Sequence, residues 1–315
     1  MSLFALIAAL LLEQLKPLSA RKHQYGWFAG YADFFQHHFN SGEYSHGKVA
    51  WWLAVLPLLA VTVALYWGLH YLNPLLSFLL DMLVLYLCMG FGQYSRDFNA
   101  IQQALRAGNL AQARERLSGM RASSADMLNA EEIARLTIEE SLIALHRHLF
   151  GVIVWYALFS LLGLGGAAGA VLFWLGLGLR AHWAGEHNAQ ESGPDRFGQF
   201  AGSMCVRLEW LPIRLTAATF AIVGNFEDTV YCWRSQASGW PDSEIGIILS
   251  SAAGSSGMQL GRPITQDGEL VNRPELGVGG MTRDAALQCC VRLVWRSMAF
   301  MLLVLFMLTL ASLLD

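Results

Sequence analysis

The sequence predicts an all-α, multi-pass helical membrane protein with a cytoplasmic helical insertion, and three observations carry that expectation. Of its 315 residues 55% are hydrophobic and only 14% charged, against about 25% charged in an ordinary soluble domain. Apolar runs approaching or exceeding the roughly 20 residues of a crossing helix recur along the chain. Between two of them lies a polar stretch whose Gly108–Asn109 stop signal and Asn129-x-x-Glu132 capping box announce further helices. A net charge of −3 with no basic stripe argues against a nucleic-acid partner. The expected surroundings are a lipid bilayer.

Taken in order, residues 1–92 read as a surface segment followed by two transmembrane helices. Ser2 to Leu12 is apolar but short, which predicts an interfacial or half-inserted helix stopped by Glu13, Lys16 and Pro17. It lacks a basic leader and an A-x-A site, so it does not read as a removable signal peptide. Residues 13–48 are polar with aromatic insertions, which suits a membrane surface. Val49 to Leu72 spans, Asn73–Pro74 turns, and Leu75 to Phe91 returns carrying Asp81.

Residues 93–148 are the soluble insertion: two helices meet at Gly108–Asn109, and a third runs from Asn129 through Ile133, Leu136, Ile138 and Leu142. Residues 149–234 hold the central membrane helices. Leu149 to Leu179 is about 46 Å long if helical, too long for a bilayer core of about 30 Å. GLGGAAG at 163–169 is the place for a break, giving either a hairpin or one long tilted helix. Residues 180–204 read as a loop and 235–290 as a soluble Gly-rich loop region with a turn at Asp267–Gly268. The segment 291–315 is the last transmembrane helix. Five cysteines show no CxxC or zinc spacing and read as packing thiols.

Lys and Arg set the expected orientation. Lys16, Arg21, Lys22 and Lys48 flank the first span, seven arginines occupy residues 96–147, and Arg283, Arg292 and Arg296 precede the last helix. These loops are expected in the cytoplasm of a bacterium, with the C-terminus across the inner membrane in the periplasm.

The chemistry concentrates between Cys205 and Arg234. Leu211 to Val223 is apolar, yet Pro212 and Arg214 stand at one end and Glu227–Asp228 just past the other. Pro212 removes a backbone donor that neighbours must compensate. Arg214 either faces a polar companion inside the bundle or snorkels to the interface beside Trp210. Glu227 and Asp228, with Arg234 further on, either hold a ligand or form a solvated helix start. His146 and His148 do not share a helix face and read as interfacial, and His182 with His187 makes a poor metal pair, so no metal site is expected. Gly254, Gly257 and Gly261 either cradle a phosphate or permit close packing. Arg262 and Arg273 beside them keep an anion in view.

W-L-P-I-R-L at 210–215 resembles the LPxRL motif of the CobD/CbiB family of cobalamin biosynthesis membrane proteins. So do A-G-S-S-G-M-Q-L-G-R-P at 253–263, G-E-L at 268–270 and R-P-E-L-G at 273–277. The whole layout is similar to CbiB and to its AmpE-like branch, accessory proteins of β-lactamase regulation. The resemblance implies a choice. CbiB-type proteins are adenosylcobinamide-phosphate synthases, joining aminopropanol or its phosphate to adenosylcobyric acid with ATP and Mg²⁺. Their acidic E-N-x-x-D-G motif falls here on His146-Arg147-His148-Leu149-Phe150-Gly151, and an acidic pair before LPxRL is replaced by Cys205–Val206. These departures point to a sensor-like, AmpE-type member binding a small anionic or corrinoid ligand. A synthase, or a scaffold gathering soluble cytoplasmic enzymes at the bilayer, remains the alternative.

Overall fold

In a computed structural model, residues 2–15, 21–121, 123–184, 196–266 and 269–314 are described. Helices follow the apolar runs, because a chain in lipid must satisfy its backbone polar groups within each segment. In chain order they are α1 (Ser2–Leu15), α2 (Arg21–Phe39), α3 (Tyr44–Leu72), α4 (Pro74–Cys88), α5 (Phe91–Arg106), α6 (Leu110–Arg121) and α7 (Ala130–Leu145). A π-helical turn, His146–Phe150, leads into α8 (Gly151–Leu161), then α9 (Gly166–Trp183), α10 (Phe197–Val223), α11 (Phe226–Gln236), α12 (Ser243–Ser256) and α13 (Arg283–Leu314). The architecture is that of an all-α membrane protein.

Among the described residues three stretches are long and apolar enough to cross a membrane: Tyr44–Leu72, Ala130–Leu161 and Arg283–Ala311. Pro74–Cys88 with Phe91–Arg106, bent by 40°, makes a fourth if the two act as one. Four to five segments were expected. The stretch Ala130–Leu161 runs through residue 148, where the sequence ends the expected soluble insertion. Helix α10 carries Arg207, Glu209 and Arg214, the last of them inside the apolar run Leu211 to Val223. Exposed Leu56, Val61 and Leu65 on α3 and Leu303, Phe306 and Leu310 on α13 are the surfaces that lipid covers.

The chain divides into two units. Unit 1 comprises residues 1–90 and 150–212, and unit 2 residues 91–149 and 213–315. In unit 1, α3, α4 and α9 pack on one another, α1 lies on α4, and α2 lies on α3 and α9. Asn73 ends α3 and caps α4, its side chain accepting from the Leu75 N–H at 2.9 Å with Pro74 in the first turn. The long apolar run breaks where expected: α8 and α9 form a hairpin through Leu162–Gly165, with Gly163 and Gly165 at positive φ. Lys16 and Pro17, expected to stop α1, lie outside the described residues.

In unit 2, α5 and α6 meet at Gly108–Asn109 as the sequence reads, and both rest on α7. The capping box forms: Asn129 Oδ1 accepts from Glu132 N while the Glu132 carboxylate accepts from Asn129 N. Helix α7 packs on α12 and α13, and α11 packs on α12. Residues 235–290 are not a loop throughout. Asp242 caps α12, and two antiparallel ribbons follow, β1 (Leu260–Gly261) with β4 (Glu275–Leu276) and β2 (Ile264–Gln266) with β3 (Glu269–Val271). A run of Ser, Ala and Gly hides a buried helix, because small residues let it sit close to its neighbours. The Asp267–Gly268 turn lies outside the described residues.

Candidate ligand-binding site

The charges of unit 1 are discharged by dedicated partners. Asp81, buried in α4, accepts the Tyr156 hydroxyl at 3.1 Å and the Ala167 N–H at 3.1 Å. That amide belongs to the first turn of α9, so the carboxylate meets the positive end of a helix dipole. Glu209 on α10 is buried and paired with Arg180 of α9 at 3.1 Å, with the Cys205 thiol 3.6 Å away. Pro212 cannot donate to Leu208, and the Trp155 indole N–H takes that carbonyl at 3.0 Å. The compensation required of its neighbours is thus supplied by one side chain.

Unit 2 holds a cavity of about 440 Å³ lined by Gly224, Asn225 and Asp228, by Gly254 to Gly257 at the end of α12, and by Cys289, Arg292, Leu293 and Arg296 of α13. Arg292 and Arg296 stand one turn apart, so both guanidinium groups are carried by one helix face. Asn225 caps α11, accepting from Asp228 N at 3.2 Å, and its amide donates to the Asp228 carboxylate at 2.7 Å. Gly254 lies so close to the Asp228 carbonyl that no Cβ fits between α11 and α12. Gly257 closes α12 with φ 63°, the left-handed conformation glycine adopts without strain. The lining therefore combines two guanidinium groups of α13 with one carboxylate. Burial, then the charge of Asp228, pushes the Cys232 thiol up from its ordinary range, which keeps it a protonated packing group.

A second polar cluster in unit 2 gathers on Glu139 of α7. This carboxylate is 3% exposed on its side chain and is held by Arg273 at 2.7 Å and by the Gly261 N–H at 2.8 Å. Arg273 also donates to the carbonyls of Arg262 and Gly261 and lies 5.3 Å from the Trp240 ring centre. Gly261 has φ 75° and abuts the Pro274 carbonyl, which excludes any larger residue. Arg262, half-exposed, pairs with Glu275 at 3.0 Å.

The sequence-derived candidates fall into groups. Asp228, Gly254 and Gly257 line the cavity, while Gly261, Arg262 and Arg273 gather on Glu139 and Glu275. Arg214 lies half-buried on α10, and Glu227 and Arg234 are exposed on α11. None of these last three lines the cavity. In the sequence Glu139 stands out only as an acid ahead of His146 and His148, and Arg292 and Arg296 only as signs of orientation. Their i, i+4 spacing was the available signal. His146 is not interfacial: it is fully buried and meets the Thr216 hydroxyl at 3.0 Å, while His148 stacks on Tyr94. The π-helical turn shifts the helical register there, so ordinary spacing misplaces both rings. His182 pairs with Asp33 at 2.7 Å, and His187 lies outside the described residues. Among the described residues no three His, Cys, Asp or Glu side chains converge as a metal cluster.

The sequence model of the CobD/Cbib protein family matches residues 4–294. The chain belongs to the CobD/CbiB family. It is 34% identical over 310 residues to the cobalamin biosynthesis protein CobD of Stutzerimonas stutzeri (strain A1501), covering 97% of each chain. It is 32% identical to the cobalamin biosynthesis protein CobD of Chromobacterium violaceum, covering 78% of this chain and 75% of that one. It is 25% identical to the cobalamin biosynthesis protein CbiB of Salmonella arizonae over 87% of this chain and 86% of that one. No solved structure matches the chain. These relatives carry CobD and CbiB names, and nothing among them supports the expected role in β-lactamase regulation.

Proposed function

We propose that this chain is a membrane-embedded adenosylcobinamide-phosphate synthase, joining an aminopropanol phosphate to adenosylcobyric acid at the expense of ATP. The observation that carries this reading is the cavity of unit 2. Arg292 and Arg296 supply guanidinium groups for phosphate oxygens, and Asp228 in the same lining supplies a carboxylate for an ammonium group or a cation. The names of the relatives support the same pathway. ATP would arrive with Mg²⁺, which is commonly held by one or two carboxylates together with substrate phosphates. Asp228 fits that limited role, and the metal would supply neutralisation of phosphate charge when bound. Lys48 at the start of α3 and the basic start of α13 (Arg283, Arg292, Arg296) face the cytoplasm in this reading, with the C-terminus in the periplasm.

One observation favours a second reading, a member that binds such a ligand without joining anything to it. The positions resembling the acidic motif are occupied by packed side chains, His146 against Thr216 and His148 against Tyr94. The test is purified protein in lipid discs with adenosylcobyric acid, aminopropanol phosphate, ATP and Mg²⁺, with the amide product followed by mass spectrometry. Turnover that Arg292→Gln and Arg296→Gln abolish is expected. Ligand binding without product selects the second reading, and neither binding nor product overturns both.

A further inference from the structure

The cluster on Glu139 shares no residue with the cavity and carries a cation that its own carboxylates do not satisfy. Arg135 precedes Glu139 by one turn of α7, on the same face. Its Nε is buried and finds no hydrogen-bond acceptor among the described residues. It lies within electrostatic reach of Glu139 and Glu132 and also of Arg273 and Arg262. Glu139 is committed to Arg273 and the Gly261 N–H, and Glu275 to Arg262 and the Gln259 amide. Glu132 turns back to cap the start of α7 through Asn129. A buried donor without an acceptor is costly, and a charged one more so.

Arg262 adds an independent sign. It is the one non-glycine among the described residues with positive φ, 69°. Its backbone is clamped there, its N–H donating to the Pro274 carbonyl at 3.2 Å and its carbonyl accepting from Arg273 Nε at 3.2 Å. A side chain held in a conformation that glycine adopts freely is strain retained for what that side chain does. Here it carries a half-exposed guanidinium within electrostatic reach of Arg135, which Arg273 also reaches.

We propose that Arg135, Arg262 and Arg273 form a binding site for a phosphate group, separate from the cavity and beyond the reading given above. Arg273, whose Nε, Nη1 and Nη2 are already taken by the Arg262 carbonyl, Glu139 and the Gly261 carbonyl, supplies a fixed positive charge held against Trp240. Arg135 turns its guanidinium toward the phosphate, and its Nε leaves the buried position in which it finds no acceptor. Arg262 exchanges Glu275 for the ligand, which is the inexpensive step because that pair is solvent-exposed. The phosphate is either a free phosphate or phosphate ester, or the headgroup of an anionic lipid.

The test measures thermal unfolding of the full chain, first in neutral detergent titrated with inorganic phosphate, then in micelles doped with phosphatidylglycerol. Saturable stabilisation by one of the two is expected, and which one responds identifies the source of the phosphate. Arg262→Gln is expected to weaken the apparent affinity by about tenfold, as is Arg135→Gln. Arg262→Gln removes an exposed head group and carries the test if Arg135→Gln does not fold. A response unchanged in both variants overturns the proposal, as does one lost only in Arg292→Gln, which would place the phosphate in the cavity. No saturable response in either arm also overturns it. The synthase reading stands or falls separately, on amide product.

Discussion

The two units handle buried polarity in opposite ways. In unit 1, Asp81 sits on the first turn of a helix, Glu209 faces Arg180, and the carbonyl freed by Pro212 receives an indole. The atoms left without hydrogen bonds among its described residues are Trp51 Nε1 and Ser160 Oγ. In unit 2, Arg135 Nε, Ser141 Oγ, His146 Nε2, Ser251 Oγ and Ser297 Oγ are all buried without one. They occur on helices α7, α12 and α13 and on the π-helical turn, and α12 and α13 also wall the cavity. Polar groups in unit 1 hold the fold together. Several in unit 2 make no hydrogen bond among the described residues, although Glu139 there is as fully paired as Glu209 is in unit 1.

The contrast is sharpest where both units bury a glutamate against an arginine. Arg273→Leu leaves Glu139 buried with only a backbone donor and is expected to cost about 3–5 kcal/mol. Arg180→Leu in unit 1 is expected to cost less, about 2–3 kcal/mol, because Arg180 is 30% exposed and water reaches the pair. Denaturant unfolding in mild detergent measures both, and equal losses would erase the distinction. Asp81→Asn places an amide where two donors converge, for an expected loss of about 1.5–3 kcal/mol in thermal unfolding.

Trp155→Phe strips the Leu208 carbonyl of its donor at an expected cost of about 1–2 kcal/mol, with α10 fraying near Pro212 in hydrogen exchange. The smallest effect belongs to unit 2. Ser251→Ala and Ser297→Ala remove buried hydroxyls that bond to nothing described, so each should change stability by less than about 0.5 kcal/mol or improve it. A loss above 1 kcal/mol for either, by the same unfolding measurement, would show that those hydroxyls already serve the fold.

How much of this the sequence discloses depends on distance along the chain. The Asn129–Glu132 box, the Asn73–Pro74 joint and the break at 163–169 are local, and composition and periodicity reveal them directly. That Pro212 needs help is equally local, but the helper, Trp155, lies 53 positions away from Leu208. Glu139 and Arg273 are separated by 134 positions, and nothing in either neighbourhood names the other. Arg214 and Glu227 drew attention because charges in apolar surroundings stand out. Arg292 and Arg296 did not, because arginines flanking a membrane helix have an ordinary explanation. Arg135 is the hardest to see, since its importance comes from an acceptor it lacks.

The joint at Asn73 bears on how this protein is made. One residue closes the first long hydrophobic helix and opens the next, leaving no slack between them. The 15 residues of α4 must follow α3 out of the ribosome before those two helices can pair. A joint this short favours their release into the bilayer as one hairpin. Lengthening that joint with glycines would uncouple the two insertion events while leaving every mature contact chemically intact.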